Sequence, residues 1–355
     1  MANKVLVGVS GGVDSSVSAA ILKEKGYEVT GAFMKNWEDD DGTPYCSVKE
    51  DFLDAARVCD KLDIELIQLN FSKEYKEKVF EYFLASLKEG KTPNPDIFCN
   101  KFIKFEAFYD YAMTNNFDNI ATGHYCQLEQ KNDEYLLKKS QDQSKDQTYF
   151  LNDIEKEVLK KCIFPIGNIE KSEVRKIAKD KKLVTFDKKD STGICFIGER
   201  PFPDFLSNYL PQKKGDIFDE NSNLIGKHNG VHFYTLGQRQ GLGIGGVKGS
   251  SEQPWYVAAK DNLNNSLTVV QDNNHPLLFN SELEVKKINW LISKLPNLNN
   301  LNCKIRYRQK DQLCSLEETS NGWIVSFEEP QRAITPGQSI VFYDGNICLG
   351  GGEID

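Results

Sequence analysis

The sequence predicts an α/β protein with a parallel-sheet domain at its N-terminal end, a small β-rich domain in the middle and a β-barrel at its C-terminal end. Up to about residue 200, apolar β-branched runs alternate with segments of helical periodicity, which is typical of a parallel sheet covered on both faces. From Gly215 onward the helical periodicity is lost, and short alternating runs are separated by Gly, Asn and Asp. A chain of 355 residues is also long enough for two or three hydrophobic cores.

The elements of the first part alternate between strand and helix. Predicted strands cover residues 4–9, 28–34, 64–71 and 119–125, the last of which ends in a loop at Gly123 and His124. Predicted helices cover residues 14–25, 50–62, 73–89 and 171–182. Together they form one sheet with helices on both faces.

The first boundary is predicted near residue 200, where ERPFPDFLSNYLP introduces prolines that interrupt the alternation. We therefore expect domains at residues 1–203, 204–280 and 281–355. Short strands with turn residues between them continue through both later parts, and CKIRYRQ, QSIVFYDG and ICLGGGEI are among those of the third. Asp344 and Gly345 are predicted to form a hairpin turn there.

Composition excludes several classes of protein. The formal net charge of −8 argues against indiscriminate binding to nucleic acid or acidic membranes, although residues 304–310 (KIRYRQK) are locally cationic. No apolar run approaches the roughly 20 residues that cross a bilayer, and no signal peptide precedes the first strand. We therefore expect a cytoplasmic protein with no membrane contact. Nine cysteines with no CxxC argue against a disulfide framework and against a local zinc clamp.

A glycine-rich loop, GVSGGVDSS, follows the first predicted strand and precedes the first predicted helix. Its glycines let backbone N–H groups approach oxygen atoms closely, and the helix N-terminus adds roughly half a positive charge. The loop therefore predicts a phosphate site, although it matches neither the Walker A pattern nor GxGxxG. The alternative is a glycine turn with an Asp or Ser N-cap. GLGIGG at 241–246 does match GxGxxG, but no helix follows it, and we interpret it as a flexible loop.

Two cysteines have surroundings that favour reactivity. Pro93 and Pro95 in KTPNPDIFCNKFIKF predict a helix that begins near Asn100, which puts Cys99 at its N-terminus, where a thiolate is favoured. Asp96 is close enough in sequence to exchange a proton at the same centre. Cys195 lies in DSTGICFIGERPF among glycine and charged residues. Cysteines within apolar runs are interpreted as small buried hydrophobic residues, namely Cys59, Cys126, Cys162, Cys303, Cys314 and Cys348.

The string SGGVDS resembles the pyrophosphate loop of the N-type ATP pyrophosphatases, which split ATP into AMP and pyrophosphate while adenylating their substrate. The resemblance implies an ATP site with Asp14 placing Mg²⁺, and with Met34 and Gly123 flanking the nucleotide at the ends of strands. The implied ATP-binding residues are Gly8, Val9, Ser10, Gly11, Gly12, Val13, Asp14, Ser15, Met34 and Gly123.

The ordered motifs SGGVDSS, NPDIFCN, ATGHY, KDQTYFL, STGICFIGER, RYRQ and TPGQSIVFY together resemble the bacterial tRNA-specific 2-thiouridylases over nearly the whole chain. This resemblance implies an adenine nucleotide alpha hydrolase-like catalytic domain and an enzyme that replaces O2 of the wobble uridine of tRNA with sulfur. It implies that Cys99 is the nucleophile, Cys195 the persulfide carrier and Asp96 the acid or base. It further implies a sulfur-donor protein as partner, and we expect a monomer. The implied contacts with tRNA or its target base are Asn94, Pro95, Asp96, His124, Lys145, Asp146, Gln147, Arg306, Tyr307 and Gln338.

The sequence leaves two alternative functions open. An ATP pyrophosphatase that acts on a small substrate, as in argininosuccinate or NAD synthesis, would need no cysteine pair. A non-catalytic sulfur-relay or RNA-binding scaffold would bind ATP without forming AMP.

Overall fold

The computed structural model describes residues 3–38, 48–190, 202–245 and 253–355, without the side chains of residues 202 and 203. Cys195 and part of the GLGIGG stretch lie outside the described residues. Among the described residues, no helix is long and apolar enough to traverse a lipid bilayer.

The first domain is built on a five-stranded parallel sheet with the order β3-β2-β1-β4-β7. Its strands are β1 (Lys4–Gly8), β2 (Glu28–Lys35), β3 (Glu65–Asn70), β4 (Asn119–Ala121) and β7 (Cys162–Ile163). Successive residues of β1 enter cores on opposite sides of the sheet, since Val5 and Val7 pack in one cluster and Leu6 packs in another. Burial on both faces explains why the strand has no alternation of polar residues.

The helices of this domain cover both faces of the sheet. They are α1 (Val13–Glu24), α2 (Val48–Leu62), α3 (Ser72–Tyr75), α4 (Glu81–Lys88), α5 (Pro95–Phe98), α6 (Phe108–Thr114), α7 (Lys156–Leu159) and α8 (Lys171–Asp180). A further helix, α9 (Phe202–Ser207), lies at the boundary with the middle part of the chain. Two π-helical segments, Lys76–Phe80 and Cys99–Ala107, connect α3 to α4 and α5 to α6. The predicted helix at 73–89 is therefore one continuous helical stretch with a π-helical middle.

The middle part forms a four-stranded sheet with the order β10-β11-β8-β9. Its strands are β8 (Gly215–Phe218), β9 (Leu224–His228), β10 (Trp255–Asp261) and β11 (Ser266–Gln271). The C-terminal part forms a nine-stranded sheet that includes β12 (Phe279–Val285), β13 (Asn289–Trp290), β14 (Leu301–Lys304), β15 (Gln312–Thr319), β16 (Gly322–Arg332), β17 (Ser339–Asp344) and β18 (Ile347–Glu353). The predicted fold class is confirmed.

The other two strands of the nine-stranded sheet come from the N-terminal part of the chain. The hairpin β5 (Cys126–Lys131) and β6 (Glu134–Lys139) adds to the sheet where Lys138 pairs with Ile347 of β18. One hydrophobic cluster accordingly contains both Leu137 of this hairpin and Tyr343 of β17. The barrel is thus joined to the first domain through backbone pairing as well as side-chain packing.

Two local predictions need correction. The two-residue turn between β17 and β18 has Gly345 and Asn346 at its centre, and not Asp344, because Asp344 still pairs with Ile347. Strand β14 ends at Lys304, so the rest of CKIRYRQ forms a turn in which Arg308 has a left-handed φ of 65°.

Candidate active site

The glycine-rich loop lies between the carboxyl end of β1 and the N-terminus of α1, as predicted. Gly12 is the N-cap residue of α1 in an extended conformation, and Gly11 adopts a φ of 75°. The backbone N–H of Ser10 donates to Ser15 Oγ at 3.1 Å, and this hydroxyl donates in turn to the carbonyl of Gly12 at 3.1 Å. These bonds fold the loop back over the first turn of α1. The backbone N–H groups in the first turn of an α-helix have no partner within the helix, so they are available to a ligand.

Glycine is required at two points of this loop environment. A Cβ on Gly11 would lie 2.3 Å from the carbonyl oxygen of Asp51. A Cβ on Gly123, which follows β4, would lie 2.8 Å from the backbone nitrogen of Ser15. The end of β4 therefore contacts the start of α1 directly, and a cradle of backbone atoms results. The Met34 side chain is also beside the loop, with its Cε 3.2 Å from the Cβ position of Gly8.

An ion-pair network adjoins the loop. Lys171 Nζ, at the start of α8, lies 2.7 Å from each carboxylate oxygen of Asp14, and Tyr125 donates its hydroxyl to Asp14 Oδ1 at 2.9 Å. Lys171 also lies 2.8 Å from Asp190, which pairs at 2.8 Å with both Lys145 and Arg175. Three cations and the carboxylates of Asp14, Asp190 and the neighbouring Asp142 therefore meet beside the phosphate cradle. Lysine and arginine side chains at this place suit an anionic ligand.

The ion pairs of this network change the pKa values of two of its members, Asp190 and Tyr125. Partial burial acts to raise the pKa of Asp190, but its hydrogen bonds to Lys145 and Lys171 outweigh burial and lower the pKa to about 2. Burial and then the neighbouring Asp14 carboxylate raise the pKa of the Tyr125 hydroxyl, which stays a donor. Asp190 is thus a fixed negative charge that holds two lysines at the edge of the cradle.

Asp14 is also the residue that the resemblance implies for Mg²⁺. Mg²⁺ in proteins is usually held by one or two carboxylates together with substrate phosphate oxygens, and a carboxylate at the mouth of a phosphate loop fits that requirement. Within the described ranges there is no group of three His, Cys, Asp or Glu side chains that could hold a metal ion.

Several members of this network were not predicted from the sequence. Lys171 and Arg175 lie in a segment predicted only to be a helix, and Asp190 is the first residue of the Cys195 motif. Tyr125 belongs to the ATGHY motif, in which Gly123 and His124 were predicted as site residues and Tyr125 was not.

The Cys99 segment corrects a further prediction. The helix begins at Pro95 and not near Asn100, because Asn94 Oδ1 accepts the backbone N–H of Asp96 at 3.1 Å as an N-cap and proline is favoured in the first turn. Cys99 consequently occupies the second turn, at the start of the π-helical segment, and is fully buried. The side chains of Asn94 and Asp96 are half-buried.

The barrel holds this segment in place. Thr92 donates its N–H to the carbonyl of Pro336 at 2.8 Å, and its own carbonyl accepts from Gln338 Nε2 at 2.6 Å. A Cβ on Gly337 would lie 2.9 Å from Thr92 N, so the two backbones are in close contact. Gln338, an expected tRNA contact, therefore fixes the chain just before Asn94.

The expected tRNA contacts near the first domain differ in exposure. His124 is buried, packs between the rings of Phe105 and Phe164, and lies 2.8 Å through Nδ1 from Thr122 Oγ1. Burial, with the charge of Lys104 as a smaller cause, lowers its pKa well below the usual range, so the imidazole is neutral.

Lys145, Asp146 and Gln147 lie beside the ion-pair network. Asp146 is buried and accepts from Ser140 N and from Thr148 Oγ1. Burial raises its pKa, and these hydrogen bonds oppose that rise. Gln147 Oε1 accepts the N–H of Tyr125 at 2.9 Å, so this turn is tied to the residue that contacts Asp14.

Arg306 and Tyr307 lie on the barrel but adjoin the same region. The Tyr307 ring packs 4.4 Å from that of Phe150, which follows Gln147 closely in the chain. Arg306 Nη2 donates to the carbonyl of Ala333 at 2.6 Å. A connected series of contacts therefore runs from the phosphate cradle to the barrel through Asp14, Tyr125, Gln147, Phe150 and Tyr307.

Family models match three consecutive segments of the chain. Their descriptions are a tRNA methyl transferase HUP domain over residues 3–199, a tRNA methyl transferase PRC-barrel domain over residues 203–271 and an aminomethyltransferase beta-barrel domain over residues 280–354.

Curated relatives match the chain along its length. The tRNA-specific 2-thiouridylase MnmA of Francisella philomiragia is 56% identical over 356 residues, and that of Francisella tularensis subsp. tularensis is 57% identical over 355 residues. In both comparisons 99% of this chain and 99% of the relative are covered. A solved 4-thiouridine synthetase–RNA complex with bound ATP matches at 17% identity and a TM-score of 0.35, over 58% of this chain and 49% of that chain. The chain belongs to the tRNA-specific 2-thiouridylase MnmA family.

Proposed function

We propose that this protein is a tRNA-uridine 2-sulfurtransferase that converts the wobble uridine of the tRNAs for Lys, Glu and Gln to 2-thiouridine, with ATP as co-substrate. The observation that carries the proposal is the Asp14–Lys171 pair at the mouth of a backbone phosphate cradle, in the same domain as the Cys99 segment. Full-length relatives that are themselves tRNA-specific 2-thiouridylases support it.

The ATP site is needed because a uracil carbonyl oxygen is a poor leaving group. Uridine O2 attacks the α-phosphorus of ATP, pyrophosphate leaves, and O2 becomes part of an adenylate that can depart as AMP. The loop N–H groups and Lys171 stabilise the negative charge that develops on pyrophosphate. Asp14 would hold Mg²⁺, which would further neutralise this charge.

Sulfur then replaces the activated oxygen at C2. The terminal sulfur of a Cys195 persulfide either attacks C2 itself or is released as hydrosulfide when Cys99 attacks Cys195 Sγ. In the direct route Cys99 then attacks Cys195 Sγ and frees the thiouridine. Both routes expel AMP and leave a Cys99–Cys195 disulfide, which an external thiol reductant must reduce. Asp96 exchanges the proton at this centre, and Asn94 and Pro95 contact the target base.

An anticodon-loop base suits a pocket of this kind because single-stranded bases are splayed out at modest cost and stacked on aromatic or arginine planes. Lys145, Asp146, Gln147, His124, Arg306, Tyr307 and Gln338 are proposed to contact or position the tRNA. We further propose a cytoplasmic monomer with domains at 1–203, 204–280 and 281–355, which receives its sulfur from a donor protein.

The decisive experiment is nucleoside analysis of unmodified tRNA after incubation with the protein, ATP, Mg²⁺ and sulfide or a persulfide donor. We expect 2-thiouridine at the wobble position together with AMP and pyrophosphate. Cys99→Ser and Cys195→Ser should each abolish the product with a persulfide donor, whereas Cys162→Ser, a buried core cysteine, should retain it.

The same reaction separates the alternatives. A small-substrate ATP pyrophosphatase would keep its turnover in both cysteine variants, and a scaffold would release no pyrophosphate. The family descriptions also mention methyl transfer, so a methylated nucleoside in place of a thiolated one, formed when a methyl donor is added to the reaction, would refute the proposal.

A further inference from the structure

A cationic cavity lies on the barrel, and none of its lining residues belongs to the glycine-rich loop. Its volume is about 470 Å³ and its walls include Arg306, Arg308 and Arg332. Glu329 is the acidic side chain in the same wall, so the charged groups that line the cavity give a surplus of two positive charges. A cavity of this charge is suited to an anionic ligand with several oxygens, because guanidinium groups bind phosphate in a planar, bidentate manner.

Arg332 is placed where the barrel meets the middle domain. Its Nε donates to the carbonyl of Asn273 at 3.0 Å, and its guanidinium lies 5.1 Å from the centre of the Tyr256 ring. Its Nη2 is buried and has no hydrogen-bond partner in the part of the chain that the structure describes. A buried, unpaired donor on a charged group is costly, and an anion in the adjoining cavity would offset the uncompensated positive charge.

Arg306 approaches the same place from the other side. Burial, and then the positive charge of Arg332, lower the pKa of Arg306, so the two guanidinium groups repel each other in the absence of an anion. A phosphate between them would convert this repulsion into two charge-assisted contacts.

The floor of the cavity is already ordered. Gln309 Nε2 donates to Gln331 Oε1 at 2.9 Å, and Gln331 Nε2 donates to Gln312 Oε1 at 3.1 Å. Gln309 Oε1 also accepts the N–H of Ile305 at 2.8 Å, which fixes the turn that carries Arg306, Tyr307 and Arg308. The cavity therefore needs little rearrangement to bind a ligand.

We propose that Arg332, together with Arg306 and Arg308, binds a backbone phosphate of the tRNA substrate in this cavity. The inference rests on the proposed function for the identity of the ligand, and it adds Arg308 and Arg332 to the RNA-contacting surface. Tyr307 beside the arginines offers a ring on which an adjacent base can stack. A site at the junction of barrel and middle domain would position the tRNA without taking part in sulfur transfer.

The test measures tRNA affinity as a function of salt for the wild type, Arg332→Gln and Arg308→Gln, in the absence of ATP. Each variant should bind tRNA about tenfold more weakly, and the slope of log K against log salt should fall by about one for each phosphate that the variant no longer neutralises. Arg57→Gln, which removes an exposed arginine from α2, should leave affinity and slope unchanged. Thermal unfolding shows whether each variant is folded, and the exposed Arg308 side chain provides a variant that does not depend on the packing of Arg332.

Two results would overturn the inference: wild-type affinity and slope in folded Arg332→Gln and Arg308→Gln, or an equal loss in Arg57→Gln. If inorganic phosphate stabilises the wild type but not Arg332→Gln while tRNA affinity is unaffected, a small anion is the ligand and the RNA assignment is wrong. Thiolation by the wild type and by Arg57→Gln is measured in parallel, and we expect both proteins to thiolate tRNA. A failure of the proposed function would remove thiolation from the wild type itself, whereas a failure of this inference would leave thiolation intact.

Discussion

Lys171 Nζ contacts both carboxylate oxygens of Asp14 at 2.7 Å, although the two residues are 157 positions apart in the sequence. The contact joins the start of α8 to the first turn of α1, beside the N–H groups of the glycine-rich loop. The lysine is largely buried and is shared with Asp190. A cation held in this way is pre-organised for the charge that develops when pyrophosphate leaves.

Lys171→Met should therefore lower kcat/KM for ATP by about 100-fold, the scale on which one oriented donor stabilises a developing oxyanion. The measurement is tRNA-dependent pyrophosphate release. Lys176→Met is the matched control, because Lys176 lies on the same helix but is exposed and pairs only with Glu173 among the described ion pairs. Turnover of Lys171→Met within twofold of the wild type would show that this lysine only supports the fold.

Gly123→Ala should separate the end of β4 from α1. Its Cβ would lie 2.8 Å from Ser15 N and 2.9 Å from the carbonyl carbon of Asp14, and both are backbone atoms that cannot rotate away. We expect the free energy of unfolding to fall by about 1–3 kcal/mol, as for other overpacked sites. ATP-dependent pyrophosphate release should fall by more than tenfold, since the loop N–H groups would be displaced.

Gly245→Ala is the control for that substitution. A Cβ there has no heavy atom of the described residues within 4 Å, so neither stability nor turnover should change. Equal behaviour of the two alanine variants in urea unfolding and in turnover would contradict the role given to Gly123.

Local patterns predicted the glycine-rich loop and the main strands and helices of the first domain because each depends on residues close together in the chain. The hairpin of β5 and β6 was not predicted as part of the barrel, because its pairing of Lys138 with Ile347 depends on residues far apart in the sequence. The Asp14–Lys171 contact and the arginine cavity were missed for the same reason. The start of the Cys99 helix was misjudged for a local reason, since Asn94 followed by Pro95 is an N-terminal signal that the two prolines obscured.

At Arg308 the effect of the backbone conformation on stability can be tested separately from the effect of the side chain on RNA binding. It adopts a left-handed φ of 65°, which is unfavourable for a residue with a Cβ and acceptable for glycine. Arg308→Gly should raise the free energy of unfolding by up to about 1 kcal/mol, whereas Arg308→Ala should not. Both variants should weaken tRNA binding equally, because neither has the guanidinium. Urea unfolding measures the difference in stability between the two variants, and salt-dependent tRNA binding measures their affinities. If the more stable variant also bound tRNA more tightly, the role given to the Arg308 side chain would be refuted.

Lys260 on β10 provides a prediction about pH. Its Nζ is buried without a hydrogen-bond partner in the described residues, and burial lowers its pKa from 10.5 to about 8. The nearby His232 has its own pKa lowered by burial and then by the positive charge of Lys260. Between pH 8 and 10.5 the unfolded chain holds this proton while the folded chain has released it. The contribution of Lys260 to stability is therefore most unfavourable below pH 8 and disappears as the pH rises to about 10.5.

Lys260→Met should accordingly raise the free energy of unfolding by roughly 2–3 kcal/mol at pH 7, since each pKa unit corresponds to about 1.4 kcal/mol. The gain should shrink at pH 9 and be smallest near pH 10.5, where the wild-type amine is increasingly neutral in both states. Urea unfolding at these three pH values measures the difference, and Lys227→Met, which alters an exposed lysine of the same small sheet, corrects for general charge effects. A gain that is constant with pH would mean that the methionine acts only through its hydrophobic side chain and that Lys260 carries no buried charge.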